Sequence, residues 1–214
     1  MNHIYCISAF GADDKVFSKF ESDGNEIHFI KWNIPGRKET ISSYAKKLSE
    51  QILHDNPILV GLSFGGMMCI EIARIIPVQM IILISSVKSY REMPYWMRLS
   101  GKLKLDKILP LRSFKLIEPL ENYNLGLETA IEKEMVTSYR RNIGRQYNNW
   151  AINQILNWNN DWMPENLVHI HGENDRIFPI KKIKADHVIP NAGHFMIMNR
   201  AVEVNEQIRL VLSS

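Results

Sequence analysis

The chain has 214 residues, 45% of them hydrophobic and 23% charged, which is typical of a soluble globular domain. Its net charge of +3 is too small to indicate a nucleic-acid-binding protein, and no apolar run has the length of a membrane span. Cys6 and Cys69 lie in apolar segments, so we expect both to be reduced and buried. The first residues lack the pattern of a signal peptide, so we expect a cytoplasmic protein.

Short apolar runs alternate with helical patterns in the first part of the chain. The predicted elements are, in order, strand 3–8, strand 26–32, helix 40–55, strand 57–61, helix 64–77 and strand 80–86. The second helix is expected to stop at Pro77. The strands lack polar alternation, which favours a parallel sheet covered by helices on both faces.

The alternation stops between residues 88 and 160, where no convincing strand is found and a long helical pattern runs from about Thr129 to Trp158. It resumes with strand 167–172, strand 186–190 and a helix over about 197–212. The sequence therefore predicts an α/β protein with a mostly parallel sheet of about six strands. The core comprises residues 1–87 and 161–214, and residues 88–160 form a helical insertion.

Ser63 follows one of the predicted strands, at the edge where open α/β sheets carry their sites. The stretch Gly61-Leu62-Ser63-Phe64-Gly65 matches G-x-S-x-G between a predicted strand and a predicted helix. Glycines at this spacing permit a sharp turn that lifts the serine hydroxyl out of the sheet. The simpler interpretation is a strand–helix turn with a capping serine.

Two further polar residues follow predicted strands. Asp175 lies in "HGENDRIFP" after strand 167–172, and His194 lies in "NAGHFM" after strand 186–190. The order along the chain is serine, acid, histidine. On these motifs and on "GLSFGG" at Ser63, the chain resembles the α/β-hydrolase family over nearly its whole length.

The resemblance implies the α/β-hydrolase fold and a catalytic triad. Ser63 would be the nucleophile, His194 the general base, and Asp175 the group that orients His194. A serine hydroxyl is barely nucleophilic at neutral pH, so an imidazole must take its proton. Asp175 is preferred to Glu173 and Asp186 because it follows "HG-x-x", where the family places its acid. No cofactor or metal ion is implied.

The resemblance also implies an oxyanion hole formed by backbone amides. One donor would be the Phe64 amide, and the other the Phe10 amide in the loop "SAFGAD". In that loop Ser8 and Ala9 replace the usual His-Gly of the family. The family's hairpin before the first strand is missing, and the insertion at residues 88–160 is where members commonly carry a cap.

These features predict a serine hydrolase that cleaves a carboxylic ester or thioester through an acyl-enzyme on Ser63. One alternative is non-hydrolytic, lyase-type chemistry with the same fold and triad. Another is a non-catalytic binding protein, which the altered Ser8-Ala9 loop motivates. Relatives that use an aspartate nucleophile are disfavoured because Ser63 stands at that position.

The remaining histidines have no predicted catalytic role. His169 and His171 alternate on one strand and are either a metal-ligand pair or packing residues, and we favour packing because no third ligand is suitably spaced. The sequence suggests no partner for the others, which are His3, His28, His54 and His187.

Residues 88–115 are strongly basic, with eight cations against Glu92 and Asp106. If they form the rim of the site, the substrate is anionic or linked to an acidic carrier. The simpler interpretation is a solvated helix surface. The eight cations are Lys88, Arg91, Arg98, Lys102, Lys104, Lys107, Arg112 and Lys115.

Overall fold

Six parallel strands form one sheet in the order β2-β1-β3-β4-β5-β6, in a computed structural model that describes residues 2–105 and 115–213. Every pair of neighbouring strands is parallel. The strands are β1 (His3–Ile7), β2 (Glu26–Ile30), β3 (Ile58–Leu62), β4 (Met80–Ile84), β5 (Leu167–Gly172) and β6 (His187–Ile189). The predicted six-stranded α/β sheet is therefore confirmed.

Eight α-helices flank the sheet in the described residues. They are α1 (Ile41–Ser49), α2 (Phe64–Ala73), α3 (Tyr95–Lys102), α4 (Glu118–Leu125), α5 (Ala130–Asn142), α6 (Arg145–Asn157), α7 (Met196–Asn199) and α8 (Ala201–Ser213). None of them is both long and apolar enough to cross a membrane.

Both faces of the sheet are buried along β3 and β4 and over most of β1, whereas the edge strand β2 is partly exposed. On β1, Ile4 and Cys6 belong to one hydrophobic cluster, whereas Tyr5 and Ile7 belong to the other. The cluster around Tyr5 includes α1 and α2, and the cluster around Ile4 includes α7 and α8. Successive side chains of a strand point to opposite faces of the sheet. Where both faces are buried, no position favours a polar residue, so the strand has a continuous apolar sequence.

The helix boundaries differ from the predicted ones in four places. Helix α1, predicted over 40–55, ends at Ser49. Helix α2 ends at Ala73, short of Pro77. The single pattern over 129–158 is two helices, because Ile143 and Gly144 adopt extended backbone angles between α5 and α6. The last helix is divided into α7 and α8. Periodicity alone does not detect such a break, since apolar spacing continues across it.

Residues 88–160 contain α3 to α6 and, in the part that the structure describes, no strand. Hydrogen bonds attach them to the rest of the protein in two places. The Trp150 indole donates to the Glu39 carbonyl at 2.7 Å, and the Phe195 amide donates to the Leu125 carbonyl at 3.0 Å. These contacts join residues 88–160 to the segment between β2 and α1 and to the segment between β6 and α7.

Candidate active site

Ser63 occupies a strained turn between β3 and α2. Its φ is 53° and its ψ is −117°, a region that non-glycine residues rarely adopt and that costs of order 1–3 kcal/mol. The turn is held at both ends of the residue. The Ser63 amide donates to the Ile84 carbonyl at 2.9 Å, and the Ser63 carbonyl accepts from the Ser86 hydroxyl at 2.7 Å.

Two glycines permit this turn. A Cβ atom at Gly61 would lie 2.4 Å from Gly66 Cα, and one at Gly65 would lie 2.2 Å from the Ile7 carbonyl oxygen. Because the obstacles are backbone atoms, they cannot move aside as a side chain could. The G-x-S-x-G spacing is therefore required by the close approach of α2 to β1 and β3.

Ser63, His194 and Asp175 form a continuous chain of hydrogen bonds. The distance from Ser63 Oγ to His194 Nε2 is 3.0 Å, and the distance from His194 Nδ1 to Asp175 Oδ2 is 2.7 Å. The other carboxylate oxygen, Asp175 Oδ1, accepts from the amides of Ile177 at 2.8 Å and Phe178 at 2.9 Å. The three predicted residues are thus brought together in the arrangement that a nucleophile, a base and an orienting acid require.

Asp175 is almost fully buried, yet its pKa lies below the usual value. Burial by itself raises the pKa of this carboxyl, but attraction and hydrogen bonding to His194 lower it, as do His171 and the Phe178 amide. The net direction is downward, so the carboxyl is ionised at neutral pH and can hold a proton on His194 Nδ1.

The other acids considered lie elsewhere. Glu173 accepts from the Asn191 amide at 2.9 Å, and Asp186 accepts from the His169 amide at 2.8 Å. Both carboxylates therefore accept hydrogen bonds from backbone amides. Asp175 is the acid that is hydrogen-bonded to His194.

His171 lies beneath Asp175 and supports the acid loop. Its Nε2 atom is 2.8 Å from the Phe178 carbonyl and 3.5 Å from Asp175 Oδ2, and its Nδ1 atom is 3.2 Å from His169 Nε2. Both histidines are fully buried, and burial is the main cause that lowers their pKa values. Their position matches the packing interpretation.

The loop after β1 lies beside the serine turn. The Ala12 amide donates to the Ala9 carbonyl at 3.0 Å, and Gly11 has a φ of 71°, so Phe10 and Gly11 are the central residues of a tight turn. The Ser8 hydroxyl donates to the Ala12 carbonyl at 2.7 Å and accepts from the Trp32 indole at 2.8 Å. The Ser8 hydroxyl therefore links the start of this loop to Ala12 and to the Trp32 side chain.

The two predicted oxyanion donors face this region from different elements. Phe10 lines the same cavity as Ser63. Phe64 is the first residue of α2, and the amide of that position has no acceptor within its helix. Gly65 packs against the Ile7 and Ser8 carbonyls, so the start of α2 and the Phe10 loop are adjacent. The role of both amides stays a prediction.

A cavity of about 600 Å³ opens onto Ser63 and His194. Its walls combine the loop after β1 with apolar side chains of the insertion, including Met97, Val136 and Ile155. Such a cavity is large enough for a small organic substrate.

Arg140 is one of the polar residues that line the cavity. Its Nε atom is 3.0 Å from a carboxylate oxygen of Glu121, and both residues line the cavity. Its two terminal nitrogens, Nη1 and Nη2, are buried and have no hydrogen-bond partner among the described residues. A guanidinium left in this state is poised to bind an anionic group. The sequence analysis missed Arg140, because nothing in its local pattern distinguishes it from a solvated helix residue.

The predicted basic rim differs from the arrangement observed. None of the described cations of residues 88–115 lines the cavity, whereas Arg140 and Arg141 do. Arg91 is paired with Asp161 at 2.7 Å. Asp106, Lys107 and Arg112 lie outside the described residues.

Comparison with known proteins is informative at the level of structure. No protein-family model and no curated protein sequence matches the chain. A thermophilic esterase from Thermogutta terrifontis, solved with malate bound, superposes with a TM-score of 0.75 at 18% identity, covering 100% of this chain and 90% of that one. The chain has the α/β-hydrolase fold.

Other proteins with the α/β-hydrolase fold superpose equally fully. A lipase-esterase related protein from Clostridium acetobutylicum gives a TM-score of 0.70 at 13% identity, covering 98% of this chain and 94% of that one. A bromoperoxidase from Bacillus anthracis gives 0.70 at 14% identity, covering 100% and 92%. At these identities the likeness establishes the α/β-hydrolase fold, and the reaction has to be argued from the site.

Proposed function

We propose that this protein is a serine hydrolase that cleaves a carboxylic ester or thioester through an acyl-enzyme on Ser63. The observation that carries the proposal is the unbroken hydrogen-bonded chain from Ser63 Oγ through His194 to the buried, ionised Asp175. The similar structures named as esterases are consistent with this reaction.

The proposed reaction has two halves. Ser63 Oγ attacks the carbonyl carbon while His194 Nε2 takes its proton, and Asp175 stabilises the imidazolium that forms. The Phe10 and Phe64 amides would hold the negative oxygen. His194 then protonates the departing alcohol or thiol, and the acyl group stays on Ser63. Water, deprotonated by His194, releases the acid and regenerates the serine.

We further propose that residues 88–160 act as a cap that determines the substrate, with residues 1–87 and 161–214 as the core. Met97, Val136 and Ile155 from this segment form much of the apolar wall of the cavity. A cap in this position excludes bulk water and shapes the acyl or alcohol pocket. Arg140 adds a preference for substrates that carry a carboxylate or another anion.

The test is covalent labelling by a fluorophosphonate probe, combined with hydrolysis of short p-nitrophenyl esters. Wild-type protein should be labelled on Ser63, and Ser63→Ala and His194→Ala should each lower kcat/KM by at least about 1,000-fold. Ser42→Ala is a matched control, since Ser42 is exposed on α1 and distant from the site in the chain. Labelling of Ser63→Ala at the wild-type rate would refute the assignment.

Two outcomes would select the alternatives. A non-catalytic binding protein would hydrolyse no ester at a rate above that of the His194→Ala variant. A lyase would turn over its substrate without incorporating oxygen from ¹⁸O-labelled water into the acid product, whereas the proposed hydrolase incorporates one such oxygen at each turnover.

A further inference from the structure

Four polar side chains are gathered on one face of the sheet, at the end opposite Ser63. In the register of the parallel pair β1–β2, His3 stands beside Glu26, and Tyr5 stands beside His28. Residues two apart on a strand share a face, so these four side chains form a two-by-two array. His54, from the turn after α1, stacks on the array with its ring 3.4 Å from that of His3.

Three of the side chains already bring potential ligand atoms close together, with each histidine facing a different oxygen of Glu26. His3 Nδ1 is 3.2 Å from His28 Nε2 and 3.3 Å from Glu26 Oε2, and Glu26 Oε1 is 3.7 Å from His28 Nε2. A tetrahedral zinc ion with bonds of about 2.0–2.1 Å keeps its ligand atoms about 3.3–3.4 Å apart. The three histidines as a group offer ligand atoms that all lie within 4.8 Å of one another.

The cluster is accessible to an ion from solvent. The side chains of His3 and His28 are 28% and 25% exposed, and that of Glu26 is 50% exposed. Two imidazole nitrogens at 3.2 Å require a proton between them. A metal ion would replace that proton and use both lone pairs, so binding should release protons and weaken at acid pH.

His54 is held by a hydrogen bond of the kind that orients metal-binding histidines. Its Nδ1 atom is 2.7 Å from the Tyr5 hydroxyl, and that hydroxyl also accepts from the Leu53 amide at 3.0 Å. If Nδ1–H donates to Tyr5, Nε2 carries the free lone pair. The rings of His3 and His54 are stacked, so their nitrogen lone pairs lie in parallel planes and do not converge on one point. His54 must therefore rotate its ring to bind the same ion as His3.

We propose that His3, His28 and Glu26, completed by His54, form a zinc site that ties the edge strand β2 to β1 and to the turn after α1. Imidazole and carboxylate ligands suit zinc and neighbouring divalent transition metals rather than calcium or magnesium. The site would be structural, because it lies at the amino end of β1, whereas Ser63 follows the carboxyl end of β3. The proposal does not depend on the hydrolase function.

The test uses tag-free, chelator-stripped protein titrated with zinc in competition with a chromogenic chelator. We expect one zinc ion per chain with micromolar or tighter affinity, and a rise in Tm on zinc addition. His3→Ala and Glu26→Gln should each weaken zinc binding at least about 10-fold and abolish the Tm rise. His187→Ala, which removes a histidine from β6 at the other sheet edge, should change neither.

Glu26→Gln keeps the test decisive if His3→Ala does not fold, because the Glu26 side chain is half exposed. The absence of saturable zinc uptake by the wild-type protein would overturn the proposal. Equal loss of zinc binding in His187→Ala, or undiminished binding in Glu26→Gln, would also overturn it. Ester hydrolysis by the folded variants should stay within about two-fold of wild type, which separates this outcome from any failure of the Ser63 assignment.

Discussion

Among the polar side chains that line the cavity, Arg140 has buried donors without a partner. Its Nε atom is paired with Glu121, whereas its two Nη atoms have no hydrogen-bond partner in the described residues. Leaving donors of a buried charged group unsatisfied costs free energy, and an anionic substrate would recover it. We therefore expect the substrate preference of this protein to depend on Arg140 of α5.

Replacing Arg140 should separate anionic from neutral substrates. A hydrogen bond to a charged group contributes about 1.5–3 kcal/mol, so Arg140→Leu should lower kcat/KM for a hemisuccinate ester by about 10–100-fold. A neutral ester of equal length should change by less than about three-fold. The measurement is steady-state hydrolysis of both esters, with Lys133→Leu as the control because Lys133 is exposed on the same helix.

An equal loss for both esters would mean that Arg140 acts through the packing of α5 and not through the substrate. Because the substitution removes the ion pair between Arg140 and Glu121, the double variant Arg140→Leu/Glu121→Gln should be measured beside it. The same selectivity in both variants would attribute the effect to the guanidinium.

The turn between β3 and α2 sets a strict limit on substitution. At Gly65 an added Cβ would meet a backbone carbonyl oxygen at 2.2 Å, so Gly65→Ala should destabilise the protein by about 3 kcal/mol or more. At Gly144, which has a φ of −66°, nothing lies within 4 Å of the added atom. Gly144→Ala should therefore stay within about 0.5 kcal/mol of wild type in urea unfolding. Comparable losses in the two variants would contradict the close approach of α2 to β1.

The histidines of β5 should make the protein sensitive to mild acid. Burial lowers the pKa of both His169 and His171, whereas an unfolded histidine titrates near pH 6.5. Below about pH 6.5 the unfolded state binds more protons, so the free energy of unfolding must fall as the pH falls. Each histidine contributes a slope of up to about 1.4 kcal/mol per pH unit until its folded-state pKa is reached.

The measurement is urea unfolding between pH 7.5 and about pH 5. His171→Gln should reduce the slope of unfolding free energy against pH, and His187→Gln, outside the buried pair, should leave it unchanged. Parallel slopes for wild type and His171→Gln would show that His171 binds protons equally in the folded and unfolded states, contrary to this prediction.

At the scale of the whole molecule, the insertion and the core share one hydrophobic cluster. The Trp150 ring of α6 is 4.2 Å from Tyr44 of α1 and 6.1 Å from Phe64 of α2. Trp158, just after α6, donates from its indole to the buried Glu71 carboxylate at 2.8 Å. Separation of the insertion from the core would expose these aromatic rings and break this hydrogen bond.

We therefore expect the protein to unfold in a single transition. Tryptophan fluorescence, which reports on both parts of the chain, and far-UV circular dichroism should give the same urea midpoint. Trp150→Ala should shift both midpoints together, with a loss of about 3–5 kcal/mol. A fluorescence transition at lower urea than the circular dichroism transition would show instead that the insertion unfolds as a separate unit.

Local pattern indicated the sheet, and the motifs that resemble the α/β-hydrolase family indicated Ser63, Asp175 and His194. Continuous apolar runs indicate strands that are buried on both faces, and Ser63, Asp175 and His194 each directly follow such a run. The break between α5 and α6 was not predictable, because the apolar spacing continues through Ile143 and Gly144. The cation count along residues 88–115 suggested a basic rim that the described residues do not form. A count of cations does not say which side chains face the cavity.

By itself, the sequence determined the α/β class, the approximate strands and the residues that could perform acyl transfer, because these depend on short-range pattern and on the rule that parallel strands end at one edge. Only the tertiary structure decided which acid reaches His194, which cation enters the cavity, and that His3, His28 and His54 meet. These are contacts between residues far apart in the chain. Strand register and helix packing create them, and neither is encoded in any local stretch.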